Sequence, residues 1–454
     1  MSSNNTDSAL SNSSRLFWRP FDAPSEVLLD PPRRVQSAEG IYVRDDRHRL
    51  IDAVGGLWNV NLGYSQTPIK EAIRQQLDIL PYTSVFRGNT TDLAEELAQV
   101  LLDDWFGEDG MSRVFYTAGG SDSVETALRL ARQYWKVMGQ ADRYKFISLK
   151  RAYHGTHFGG SSVGGNANSR RFYEPLLQGC YHIPAPFTYR NPFDEQDPER
   201  LAVLCARFLE EEIVFQGPDT VAAFIAEPVM GAGGVIVPPP GFWPLCRQIC
   251  DKYGVLLIAD EVVTGFGRTG FPSGVRGWGV KPDMMIFAKA ITGGYFPFGA
   301  TAISNSTATA IEDAKGPAGF IGHGYTNSGH PVGCAAALSA LRLTRELGVI
   351  ENARKLGGRL LEGLETLKSR YETVGDVRGK GLMAAIELVE DKASKVHLAP
   401  DRAKKVAAVA AERGVLVRPV RNVIILSPPL IVEESHIDEI VSALDHGLQS
   451  IQNK

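Results

Sequence analysis

Val255-Leu-Leu-Ile-Ala-Asp-Glu261 and Met284-Met-Ile-Phe-Ala-Lys289 decide the fold. Each is a five-residue apolar run that ends directly on a charged side chain. Such runs read as strands buried on both faces, which is the habit of parallel sheets covered by helices. Similar runs lie on either side. Val114–Thr117, Phe146–Leu149 and Val221–Ala226 are short and apolar. Between them, Ser123–Met138 and Trp243–Tyr253 carry apolar residues at helical spacing, with Asp122 and Glu125 resembling a capping box at the start of the first. Strands alternating with helices predict an α/β protein with a mostly parallel sheet.

Further out the pattern changes. Ile41–Val43 and Leu50–Ala53 read as a meander, and Asp92–Leu102 as a helix. Gly333–Glu346 and Glu351–Tyr371 are long helical patterns. They are followed by strand-like Leu382–Leu388, Val415–Val417 and Val423–Leu426, then a last helix from about Glu434. This tail reads as a separate α+β unit. The length of 454 residues also favours a large domain plus a smaller one. The expected division is a disordered Ser/Asn-rich tail at 1–14, part of a small domain at 15–75, a large domain at 76–335, and the rest of the small domain at 336–454.

Composition narrows the function. Apolar residues are 44% and charged residues 22%, ordinary for a globular protein. A net charge of −4 gives no footprint for nucleic acid or anionic lipid, and no apolar run is long enough to span a bilayer. Five scattered cysteines argue against a disulfide framework, and Cys246 and Cys250 read as core thiols. The first residues lack a signal peptide's apolar core, so the triplets at Asn4 and Asn12 are chance matches. A cytoplasmic enzyme or binding protein is expected.

Three constellations carry chemistry. Thr117-Ala-Gly-Gly-Ser-Asp122 joins a strand to a helix, where free N–H groups and the helix dipole can cradle an anion. Asp260 stands where open α/β sheets bind ligands, at a strand's carboxyl end. Lys289 follows a buried strand, where a partly desolvated amine can attack a carbonyl. Each has a plain structural reading by itself: a turn, a loop-bracing carboxylate, a surface lysine. Together they fit pyridoxal 5′-phosphate (PLP): a phosphate cradle, a partner for the ring nitrogen, and an amine for the aldehyde. A rival is the G-x-S-x-G pattern at Gly160–Gly164, with Asp260 and His323 or His330 downstream in hydrolase order. It lacks the strand before and the helix after. His154 and His157 lack the helical Glu of a metalloprotease, and Gly231–Gly234 is too weak for a dinucleotide fingerprint, so no metal site is expected.

From about Arg19 onward the chain resembles a class III, omega-type aminotransferase of PLP fold type I, the aspartate aminotransferase-like architecture. The resemblance rests on Gly56-Leu-Trp-Asn-Val-Asn-Leu-Gly-Tyr64, Tyr153-His-Gly155, Ala226-Glu-Pro-Val-Met-Gly-Ala-Gly-Gly-Val235, Ala259-Asp-Glu-Val262, Gly265-Phe-Gly-Arg-Thr-Gly270, Lys289-Ala-Ile-Thr-Gly-Gly-Tyr295 and Gly324-Tyr-Thr-Asn-Ser-Gly-His-Pro331, in that order. It implies that Lys289 is the Schiff-base lysine and proton shuttle and that Asp260 pairs with the ring nitrogen. Val262 and Tyr153 would sandwich the ring, Gly120 and Ser121 would bind the phosphate, and Glu227 would orient the network beside it. Thr326 would reach the phosphate of a neighbouring subunit, making a homodimer with shared sites. Trp58 and Phe86 would line an apolar substrate pocket together with Tyr153. Arg418, with Arg421 as a nearby competitor, would meet a keto acid's carboxylate. The chain departs from the family in Asp122-Ser123, where Glu-Ala is usual, and in Asn327, where many relatives carry an aromatic. The implied reaction moves an amino group from a primary amine or omega-amino acid to pyruvate. The alternatives are an aminomutase of the same fold and a non-catalytic binding protein.

Overall fold

Three short strands open the chain: β1 (Ser37–Glu39), β2 (Tyr42–Arg44) and β3 (Arg49–Asp52), paired antiparallel as the meander predicts. The computed structural model describes residues 16–25 and 32–452, so the tail expected at 1–14 lies outside the described residues.

Seven strands follow: β4 (Met111–Thr117), β5 (Lys145–Leu149), β6 (Cys180–Ile183), β7 (Val221–Ala226), β8 (Leu256–Asp260), β9 (Met284–Phe287) and β10 (Gly299–Ser304). They form one sheet in the order β4-β10-β9-β8-β7-β5-β6. The pairs β6–β5, β5–β7, β7–β8 and β8–β9 are parallel. β10 runs antiparallel to both β9 and β4. Its sequence, Gly-Ala-Thr-Ala-Ile-Ser, gives little apolar signal. It follows β9 with only a short 3₁₀ turn between them, so it returns antiparallel rather than crossing over. Every residue of β7, β8, β9 and β10 is buried, which is why those strands read as unbroken apolar or small-residue runs.

The last strands are β11 (Val374–Gly379), β12 (Ala384–Leu388), β13 (Val415–Leu416), β14 (Arg418–Val420) and β15 (Val423–Leu426). Four of them form an antiparallel sheet, β11-β12-β15-β14. β13 instead pairs parallel with β3, Val415 opposite Ile51 and Leu416 opposite Asp52. The beginning and end of the chain thus share a sheet and a core, in which Ile41, Ile51 and Leu62 pack with Leu356, Leu426 and Leu444. The larger core lies around the seven-stranded sheet.

Two expectations change. The helix placed at Ser123–Met138 begins three residues earlier, at Gly120, and runs to Val137 with Gly119 as its N-cap. Asp122 and Glu125 are therefore inside the helix and form no capping box. Asp122 accepts from Ala118 N (3.2 Å) and pairs with His157, while Glu125 accepts from Gly160 N (3.0 Å). The helix beginning at Asp92 is regular only to Gln99, and Val100–Phe106 continues as a wider π-helical turn. Cys246 and Cys250 are buried thiols of the helix Phe242–Tyr253, and burial pushes the Cys250 thiol up to about 12.

One buried cation ties the two cores together. Arg268 is fully buried. It donates through Nη1 to the carbonyls of Leu382 (2.9 Å) and Pro428 (2.5 Å), and through Nη2 to Asn61 Oδ1 (2.6 Å). Burial pushes its pKa down to about 9. Arg268→Leu would leave three buried acceptors without donors. It is expected to lower the unfolding free energy by about 3 kcal/mol, read by urea denaturation.

Candidate active site

The site assembles at the carboxyl ends of the parallel strands, where connecting loops leave backbone groups free. Glu227 directly follows β7 and Asp260 ends its neighbour β8, with Ala226 opposite Ala259. Both carboxylates turn to the segment Tyr153–His154. Glu227 accepts from Tyr153 N through Oε1 (3.0 Å) and from Gly231 N through Oε2 (2.8 Å). Burial raises its pKa to about 7. Asp260 Oδ2 lies 2.7 Å from His154 Nδ1, and its Oδ1 accepts from Val262 N (3.1 Å). A carboxylate only accepts, so Nδ1 carries the hydrogen.

On the next strand, β9, the backbone leaves the sheet at Ala288 and turns at Lys289, which has a φ of 49°. Burial lowers the Lys289 amine below the usual lysine value. Asp260 and Glu227 draw it back up, and Arg418 adds to the lowering. The lowering favours the neutral, nucleophilic form of the amine.

The anion cradle forms where β4 gives way to the helix Gly120–Val137. Thr117 Oγ1 and Ser123 Oγ lie 2.6 Å apart and pin the turn. Gly155, at φ +98°, lies so close that a Cβ there would sit 2.5 Å from Ser121 Oγ, and Thr156 N donates to that oxygen (3.2 Å). Only glycine lets the 153–156 loop rest on the helix start. The first turn of this long helix leaves N–H groups free beside the Ser121 hydroxyl.

These pieces line one cavity of about 580 Å³. Gly120, Ser121, Tyr153, Glu227, Asp260, Val262, Lys289, Trp58 and Arg418 all face it. Arg418, on β14, has no hydrogen-bonded acceptor among the described residues. Arg421 sits at the β14–β15 turn with φ +55°, is exposed, and is not part of the cavity wall. Phe86 and Thr326 are also absent from the wall. The Phe86 ring, half-exposed, packs on Gly324, and Tyr82 donates its hydroxyl to the Thr326 carbonyl (2.9 Å).

Sequence reasoning gave His154 no role: it stood in the Tyr153-His-Gly155 motif and in a histidine pair with no metal-site context. What marks it is the burial of Asp260, which needs an orienting donor. Phe21 was also missed. It faces the cavity with its ring edge-on to Tyr153 at 6.3 Å. The hydrolase pattern dissolves: Ser162 lies inside the helix Phe158–Val163, donating to the Phe158 carbonyl and accepting from Leu177 N (2.8 Å). Asp260 is engaged by His154, while His323 stacks on Phe115.

Residues 27–448 match the family model "Aminotransferase class-III". The chain belongs to the class III aminotransferase family. The omega-aminotransferase of Caulobacter vibrioides is 37% identical, with 96% of this chain and 97% of that one aligned. The putrescine–pyruvate aminotransferase of Pseudomonas aeruginosa is 37% identical over 93% and 92%. Among solved structures, an amine transaminase from an uncultivated Pseudomonas species in its PLP-bound form is 47% identical. It superposes with a TM-score of 0.94, covering 96% of this chain and 99% of that one. The fold is PLP fold type I, and the cofactor of this aminotransferase is PLP. The donor set fits that group: an anion cradle, a strand-end carboxylate and a partly desolvated lysine line one cavity. Its substrates are an amine donor and a keto-acid acceptor, and no helix of the described residues is long and apolar enough to cross a membrane.

Two measurements test the geometry. Lys289→Ala is expected to lower turnover by roughly a hundred- to ten-thousandfold, and borohydride should no longer fix the cofactor to the chain. His154→Leu removes a charge-assisted hydrogen bond from Asp260. It should slow turnover by about ten- to a hundredfold with PLP content retained, and move the pH dependence of the cofactor's absorbance.

Proposed function

We propose that this aminotransferase moves the amino group of a primary amine or omega-amino acid to pyruvate in two half-reactions. The observation that carries the reading is Arg418: a half-buried guanidinium with no acceptor among the described residues, in a cavity whose lining includes the apolar Trp58, Phe298, Val420 and Ile425. An apolar wall suits an amine's hydrocarbon body. A lone guanidinium suits the carboxylate of a small keto acid, which it can grip through two hydrogen bonds. The name of the Pseudomonas aeruginosa relative supports pyruvate.

PLP, when bound, supplies an aldehyde that captures amines and a ring that withdraws electrons. The chain's residues do the rest. Asp260, oriented by His154, holds a proton on the ring nitrogen. Lys289 would serve as base and then acid, moving a proton between the substrate and the cofactor. Gly120, Ser121 and the helix start hold the phosphate. Val262 and Tyr153 would cover the ring's two faces, and Glu227 fixes Tyr153 through its backbone N–H.

The proposal includes a homodimer. Phe86, which packs on Gly324, and Thr326, whose carbonyl accepts from Tyr82, stand exposed outside the cavity of their own chain, which is where residues that complete a second copy's site would stand. Five cysteines without a disulfide suit the reducing cytoplasm.

The reading is tested by a donor panel run with pyruvate and with 2-oxoglutarate, scoring alanine against glutamate formed. Alanine should dominate, and no net transfer to either acceptor would favour an aminomutase. Arg418→Ala should raise KM for pyruvate by about ten- to a hundredfold, with the half-reaction of a simple aromatic amine little changed. Single-turnover kinetics of each half-reaction reads the difference; equal effects on both would remove the role from Arg418.

A further inference from the structure

The loop that presents Trp58 follows a path that side chains resist. Gly55, Gly56 and Trp58 all have positive φ, at 59°, 66° and 66°. A Cβ at Gly55 would lie 2.5 Å from the Ser427 carbonyl oxygen, and one at Gly56 would lie 2.6 Å from Asn59 Oδ1. For tryptophan the left-handed region is strained, and such strain persists only where the surroundings over-determine it. Trp58 is nevertheless 4% exposed, with its side chain set into the cavity wall.

The grip comes from Asp52, the last residue of β3, which is 1% exposed and does not line the cavity. Its Oδ1 accepts from Val54 N (3.0 Å). Its Oδ2 accepts from Gly56 N (2.6 Å) and from the Tyr64 hydroxyl (2.5 Å). One carboxylate thus binds the amides at both sides of Gly55. Asp52 is itself fixed, because its N donates to the Ile41 carbonyl (2.9 Å) and it stands opposite Leu416 in the β3–β13 pair. From the other side, Ser427 donates its hydroxyl to the Val54 carbonyl (2.6 Å).

We infer that Asp52 is a positioning residue that sets substrate size: its carboxylate locks the Gly55–Trp58 loop so that the indole limits the bulk of the amine admitted. The inference rests on the reading above, in which the Trp58 wall faces the donor. Asp52 touches no reactant and acts through the strained loop. Asparagine in its place keeps one oxygen acceptor but turns an N–H₂ toward N–H and O–H donors, so one side of the grip is lost.

The test uses the PLP-loaded enzyme with pyruvate and two amines that differ only in one substituent, methyl against propyl. kcat/KM is measured for wild type, Asp52→Asn, Trp58→Ala and the double variant, and amide hydrogen exchange is followed over residues 54–59. Asp52→Asn is expected to raise the propyl-to-methyl ratio by about tenfold, the scale on which apolar pockets discriminate by size. Exchange over 54–59 should quicken while PLP content stays constant. In the Trp58→Ala background the Asp52 change should add nothing to the ratio, because both act through one indole. A ratio moved by Trp58→Ala but not by Asp52→Asn would overturn the inference and leave the reading of the cavity intact. A ratio moved by neither would overturn both. Tyr64→Phe removes a single donor from the same carboxylate and serves if Asp52→Asn does not fold; it should move the ratio the same way by about twofold, and no movement would likewise overturn the inference.

Discussion

Two carboxylates at adjacent strand ends hold one short segment, and the site depends on that grip. Glu227 binds the backbone of Tyr153 and Asp260 binds the ring of His154. Parallel pairing of β7 and β8 sets these acids side by side, because every parallel strand delivers its carboxyl end to the same edge. The 153–156 loop is then pressed on Ser121, where Gly155 permits the contact. Tyr153, His154, Asp260, Glu227 and the Ser121 turn are therefore one connected unit. Burial makes the unit stiff, since neither acid can turn to water without losing its partners.

The opposite wall comes from elsewhere in the chain. Trp58 arrives on a loop after β3, and Arg418 on β14. Both depend on the joining of the chain's beginning and end through β3 and β13. Arg268 then fastens this unit to the loop beyond β8, meeting Asn61, Leu382 and Pro428 at once. A buried guanidinium bonded to neutral oxygens demands all of its acceptors, so it fixes the distance between the two cores.

Charge within the cavity is arranged for an amine that must change its protonation state. Desolvation lowers Lys289 below the usual lysine value, while Asp260 and Glu227 oppose the lowering. Arg418 pushes in the same direction as desolvation. If Arg418 holds the acceptor's carboxylate as proposed, that carboxylate would cancel part of the push, and acceptor binding and the basicity of Lys289 would be coupled through space.

Much of this was legible in the residues. Unbroken apolar runs ending on Asp260 and Lys289 can only be buried strands with charged ends, so the parallel core and its functional edge follow from local pattern. The motif order carried the family. Other features had no local signal. β10 is made of small residues that read as turn or strand alike, and only pairing with β4 and β9 settles it. His154 became significant when folding brought it 2.7 Å from an aspartate more than a hundred positions away. Arg418 and Arg421 differ by three positions, and the β14–β15 turn alone sends one to the cavity and the other to solvent. Phe86 and Thr326 look like site residues in sequence yet stand outside the cavity of their own chain. Local sequence determined which segments are buried and where charge interrupts them. The tertiary structure decided which charges meet, because that depends on contacts between residues far apart in the chain.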